Sequence, residues 1–123
     1  MMNSTEVLTR SFELIEQIKK QEISIYNMGV SLEELRKQQK RAAIFVEVVV
    51  EEDSQKEEFK KDLSNAKKRS DEIEKRLSLD NEYSNLLNEI KGMETSIKID
   101  TIVLGSLSRE FRFCEIFSRI QGR

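Results

Sequence analysis

The chain has 123 residues, a formal net charge of −2, one cysteine, and neither histidine nor proline. That length reads as one domain, and near-neutrality removes the whole-molecule field that would draw it to nucleic acid or anionic lipid. Without histidine the commonest general base and metal ligand is missing, and a lone cysteine closes no intrachain disulfide and gives no zinc-type spacing.

With 36% charged residues, four glycines and no helix breaker, the composition favours long helices. The expected fold class is all-α: a long antiparallel coiled-coil hairpin with an N-terminal helix packed at its open end, making a three-helix bundle. The first helix is expected over residues 4–21. Asn3 and Glu6 form a capping box at its start, and Leu8, Phe12, Ile15 and Ile18 line one face. Asn27 and Gly29 then suggest a turn, and the alternation of Ile23 with Ile25 leaves a short extended piece as the rival there.

Ser31 and Glu34 form a second capping box before a helix expected over 32–77. Its heptad row runs through Leu32, Leu35, Gln39, Ala42, Val46, Val49, Asp53 and Lys56. It slips there by one step, a stammer, before continuing through Phe59, Leu63, Ala66, Ser70, Ile73 and Leu77. A β-strand over AAIFVEVVV is the competing reading, since β-branched residues are dense there.

Asp80 then caps a third helix expected over 80–120. Its row, from Leu79 and Tyr83 through Ile90, Ile97, Asp100 and Leu104 to Phe111, Cys114 and Ser118, alternates three and four without a slip. A reversal at residues 78–79 would bring Lys56 beside Asp100. Those two polar residues on apolar rows would then fix the register, or else reach out to water. Gly92 and Gly105 inside the third helix mark either a solvated face or the close approach of another helix.

No phosphate-binding glycine loop occurs, and the acids of EEDSQKEE have lysine neighbours. The chain is therefore expected to be non-enzymatic, with no cofactor and no small-molecule substrate. No apolar run is long enough to span a bilayer and no signal peptide is visible, so the expected setting is cytoplasmic, with no membrane contact. Two surfaces remain. Arg109, Arg112, Arg119 and Arg123, with Arg36, Lys37, Lys40 and Arg41 brought alongside, form a basic rim suited to phosphates or to acidic protein faces. Phe45, Val48, Phe113 and Phe117 stand off the heptad rows, beside Ile44 and Ile116. Such an apolar excess implies self-association, so the expected partners are a second copy, another protein and/or single-stranded nucleic acid.

Residues 80–113, DNEYSNLLNEIKGMETSIKIDTIVLGSLSREFRF, resemble the C-terminal helix of small helical accessory proteins of bacteriophages, including UvsY-like recombination mediators. The likeness lies in the D-x-E-Y-x-x-L opening at Asp80 and the L-x-x-L-x-R-x-F close ending at Phe111. It implies an oligomeric helical protein that helps load a recombinase on single-stranded DNA. Arg109 and Arg112 would be contact residues, with Lys67, Lys68 and Arg69 as a second basic group. The reading from another class is a helical inhibitor or adaptor that blocks a partner such as a host defence enzyme.

Overall fold

The computed structural model describes residues 3–121. They are all-α, in three helices: α1 (Ser4–Ser54), α2 (Ala66–Leu79) and α3 (Asn81–Gln121), with α1 packed against α3. The segment AAIFVEVVV is helical. The residues group into two units, 3–31 with 93–121, and 32–92.

The three-helix, all-α expectation stands, but the boundaries fall elsewhere. The expected helices 4–21 and 32–77 are recut: one helix of 51 residues runs through Asn27, Gly29 and Ser31. The reason lies in the spacing. Val7, Ser11, Leu14, Ile18, Gln21, Ile25 and Met28 continue the row of Leu32, Leu35, Gln39, Ala42, Val46, Val49 and Asp53 backwards in unbroken three-four steps, and every one is buried or half-buried. A single glycine costs about 1 kcal/mol in a helix, too little to interrupt a ladder whose neighbours on both sides have a packed face. Gly29 keeps a negative φ, and a Cβ added there would meet nothing within 4 Å. The face expected for the first helix is also corrected. Leu8 and Phe12 stand in solvent, and Val7 and Leu14 are the buried pair.

In the unit of residues 3–31 and 93–121, the Asn3–Glu6 capping box closes the start of α1. The Glu6 amide donates to Asn3 Oδ1 at 2.9 Å and the Asn3 amide to Glu6 Oε2 at 3.2 Å. Val7, Leu14 and Cys114 form the core, with Leu107, Phe111 and Phe117 packed on it. The Arg10 guanidinium donates twice to the Glu110 carboxylate, at 2.8 and 2.9 Å. Further along, Gln21 Nε2 donates to the backbone oxygen of Asp100 at 3.1 Å. α1 and α3 are therefore antiparallel, in a register that sets the start of one against the end of the other. The α3 row behaves as its spacing predicts from Tyr83 to Cys114, where Ile90 and Cys114 are buried and Met93, Ile97, Leu104, Leu107 and Phe111 half-buried, but not at its expected ends: Leu79, the last residue of α2, is 73% exposed, and Ser118 is exposed.

In the unit of residues 32–92 the chain reverses at 55–65, not at 78–79. α1 ends at Ser54, where two consecutive three-residue steps had suggested a stammer; the overwound row is relieved by leaving the helix. Ser54 Oγ donates to the Glu51 carbonyl at 2.6 Å, the kind of local bond that competes with helix continuation. Three-residue turns follow, with Lys56 N donating to the Asp53 carbonyl at 3.0 Å and Phe59 N to the Lys56 carbonyl at 3.1 Å. Leu63 is buried beneath the reversal. Asn65 then caps α2, its Oδ1 accepting from the Lys68 amide at 2.8 Å. Arg76 Nη1 reaches Asp53 at 2.9 Å and Gln39 Nε2 reaches the Tyr83 hydroxyl at 3.5 Å. The returning chain thus descends α1 as its own numbers rise, and Asp80 is a joint along that return. Its amide donates to the Leu77 carbonyl at 3.2 Å, and its side chain accepts from the Tyr83 amide at 3.1 Å.

The two residues of the expected register pair have other partners. Lys56 bonds Asp53 at 3.2 Å, while Asp100 lies beside Gln21. Lys56 and Asp100 cannot set the alignment, because the turn that would have joined them is about twenty residues from the place assumed. Polar steps on the buried rows do exist: Gln21 with the backbone oxygen of Asp100, and Gln39 with the Tyr83 hydroxyl.

Candidate interaction surfaces

The expected basic rim divides. Arg36, Lys37, Lys40 and Arg41 are exposed on the part of α1 that belongs to the 32–92 unit. Arg109, Arg112 and Arg119 are exposed on α3 in the other unit, where the facing residues are the first turns of α1: Ser4 meets Gln121 and Arg10 meets Glu110. Arg123 lies outside the described residues. Arg119 pairs with Glu115 at 3.6 Å, and Arg109 Nη2 donates to Ser106 Oγ at 3.2 Å. Of the second basic group, Arg69 donates to the Leu63 carbonyl at 3.2 Å and lies 3.6 Å from Glu51. Lys68 Nζ donates to the Lys61 carbonyl at 3.2 Å. Both hold the reversal in place. Lys67 is exposed.

The electrostatics describe structural ties. Hydrogen bonds from Arg10 hold the Glu110 carboxyl below the usual carboxylate range, and Glu110 in turn strengthens the protonation of Arg10. Asp53 is lowered in the same way, chiefly by Arg76 and then by Lys56. Cys114 is buried in the core at 4% exposure, where a thiol behaves as a small hydrophobe. Among the described residues no group of three or more Cys, Asp or Glu side chains is placed to hold a metal ion, and no helix is long and apolar enough to cross a membrane. Two shallow clefts of about 270 and 320 Å³ flank the end of α3, one lined by Ser4, Leu8, Phe117 and Gln121, the other by Arg112, Glu115, Ile116 and Arg119.

The apolar surface is more informative. Of the expected self-association residues, Phe45, Val48 and Phe113 are exposed, at 69%, 50% and 67%. Phe117 is half-buried against the Val7–Leu14–Cys114 core. Phe45 and Val48, with Ile44, form a patch in the 32–92 unit; Phe113 belongs to the other unit. There the sequence reading missed most of the exposed rows. On α1, Leu8, Phe12, Ile23, Tyr26 and Val30 face solvent; on α3, Ile99, Ile102, Val103, Phe113, Ile116 and Ile120 do. The α3 row has a signal of its own: 99, 102, 106, 109, 113, 116 and 120 alternate three and four beside the buried seam.

The α3 row lies on the face of α3 turned away from its buried seam, and the α1 row lies to one side of the α1 seam. Arg10 and Glu110 mark one flank, and on α3 Val103 and Phe117 share the heptad position of Glu110. On α1, Leu8 and Ile15 stand across the seam from Arg10. A pair of helices that each have an exposed apolar row beside the buried seam has more greasy surface than its own contact can use.

No protein-family model matches the chain, and no curated protein or solved structure matches it either.

Proposed function

We propose that this chain is a non-enzymatic, self-associating accessory protein of the small helical type that α3 resembles, acting by presenting apolar helix faces to other proteins. One observation carries the reading: large apolar side chains stand in solvent in ordered rows on both helices of the unit of residues 3–31 and 93–121. Scattered exposed leucines are ordinary on protein surfaces. Rows at helical spacing are what a helix offers to another helix. Division of the basic rim moves the balance from single-stranded DNA towards protein contact, as does the use of Arg69 and Lys68 within the reversal.

Two measurements on the full chain test this. Light scattering at tens of micromolar is expected to give a multiple of the 14.4 kDa chain mass; a monomer would overturn self-association. Titration against a fluorescent single-stranded oligonucleotide is expected to show no saturable binding at 50 mM salt. Tight binding that falls by about a thousandfold between 50 and 200 mM salt, the counterion-release signature of six or more phosphate contacts, would replace this reading with the DNA one.

A further inference from the structure

We infer that the α3 row docks on the same row of a second copy of this chain, antiparallel about a two-fold axis, with Ile99 of one copy opposite Ile116 of the other. The inference rests on the self-association proposed above and assigns its surface, orientation and register.

The chain exposes 9457 Å², against about 6,800 Å² expected for a folded monomer of its mass. Ile99, Ile102, Phe113 and Ile116 on the α3 row, with Val103 beside it, are 41–68% exposed. At roughly 150–250 Å² for a fully exposed large side chain, they leave about 500 Å² open per chain. A symmetric pair would bury about 1,000 Å², before the stems of Arg109 and Arg112 are counted, which is the size at which an interface becomes specific.

The pattern supplies orientation. A two-fold interface puts one patch against itself, so an antiparallel helix pair needs a row that reads alike in both directions. Ile99, Ile102, Ser106, Arg109, Phe113 and Ile116 run apolar, apolar, polar, polar, apolar, apolar. Antiparallel three-four packing then sets Ile99 on Ile116, Ile102 on Phe113 and Ser106 on Arg109. Sliding one heptad either way sets Ser106 against Ile116 or Arg109 against Ile99. Parallel docking sets Arg109 against Arg109, a like-charge contact that costs affinity. Arg109 already lies back along the row, bonded to Ser106 at 3.2 Å, and its Nη1 is 3.6 Å from the place a Cβ would take on Gly105. The α1 row also reads alike in both directions, through Leu8, Phe12, Ile15, Lys19, Ile23, Tyr26 and Val30. Its centre is Lys19, which self-docking would set against Lys19, so charge selects α3.

Oxidative cross-linking of the full chain tests the register. Ile99→Cys and Ile116→Cys are made singly and together, with wild type controlling for buried Cys114 and circular dichroism confirming helicity. Seventeen residues of helix separate the two positions by about 25 Å, so they cannot join within one chain. The double variant is expected to form a covalent dimer and each single variant none. Cross-linking by the single variants would mean parallel docking and overturn the inference. Light scattering on Phe113→Glu and Phe12→Glu provides the second arm. Phe113→Glu is expected to weaken the dimer at least about a hundredfold, as for an unpaired buried charge, and Phe12→Glu to leave it unchanged. A dimer lost in Phe12→Glu but kept in Phe113→Glu would overturn this surface while leaving self-association standing. A monomeric wild type would overturn both.

Discussion

In the unit of residues 3–31 and 93–121, two helices meet over Val7, Leu14 and Cys114, with the long-range ion pair of Arg10 and Glu110 at the rim. In the unit of residues 32–92, Leu32, Val50, Leu63 and Ile90 are buried, and the reversal and return are held by polar contacts: Asp53 with Arg76, Glu51 with Arg69, the Asn65 cap and the Asp80 joint. The difference follows from what each must do. Two straight helices need only a continuous apolar seam, which any alternation of three and four provides. A reversal must leave the helix, satisfy the freed amides and carbonyls and re-enter in a chosen direction. Those steps call for particular side chains at particular atoms.

Breaking the seam should have the largest effect. Leu14 is fully buried and Phe12, two residues away, is 62% exposed. Leu14→Ala removes core contacts and leaves a cavity, an expected loss of about 2–4 kcal/mol. Phe12→Ala is expected to change the monomer by less than about 0.5 kcal/mol. Urea denaturation of both variants, at a concentration where any oligomer has dissociated, checks this. Equal losses would mean that the apolar face runs through Leu8 and Phe12 after all.

That pair of variants also bears on how much could be read from the sequence. The α3 seam was legible along nearly its whole length because its apolar positions have no strong competitor until Ile99, and the all-α class followed with it. α1 was less legible because its first thirty residues offer two apolar rows. Spacing alone cannot say which one α3 will cover. The choice becomes visible only when the row is extended backwards from Leu32, where Met28, Ile25, Gln21 and Ile18 fall in step. The reversal was illegible for another reason. It contains neither glycine nor proline and no residue of positive φ, so ordinary turn signals are absent. Its marks are Ser54 and Asn65, residue types that also occur on helix surfaces. The basic rim failed as a consequence of the turn and not of the charges themselves.

The helix caps contribute on a smaller scale. Asn65→Ala and Asp80→Ala each remove a side-chain acceptor from a helix start, an expected loss of about 1 kcal/mol apiece. Because both residues belong to the reversal and its return, amide exchange in α2 and the first turns of α3 should quicken well before exchange at Leu14 or Leu107. Uniform acceleration across the chain would show that the two units open together, and the distinction between local polar control and seam packing would lose its meaning.

Acid provides the smallest effect and the finest division. Asp53 and Glu110 both titrate below their ordinary values, the first held down chiefly by Arg76 and the second by Arg10. A carboxylate lowered by folding contributes stability that is complete above its unfolded pKa, near 4, and is lost as pH falls through the folded value. Between pH 6 and 9 neither residue should alter stability, since both stay ionised and their arginine partners stay charged. From pH 5 towards 2.5, wild type should lose stability relative to Asp53→Asn and, separately, relative to Glu110→Gln. Both losses should shrink in 1 M salt, because these groups stand near solvent. If the polar ties matter more in the reversal than in the seam, the Asp53→Asn difference should be the larger of the two. The reverse ranking would place the important ionic contact at Arg10 and Glu110, where the apolar core was thought sufficient.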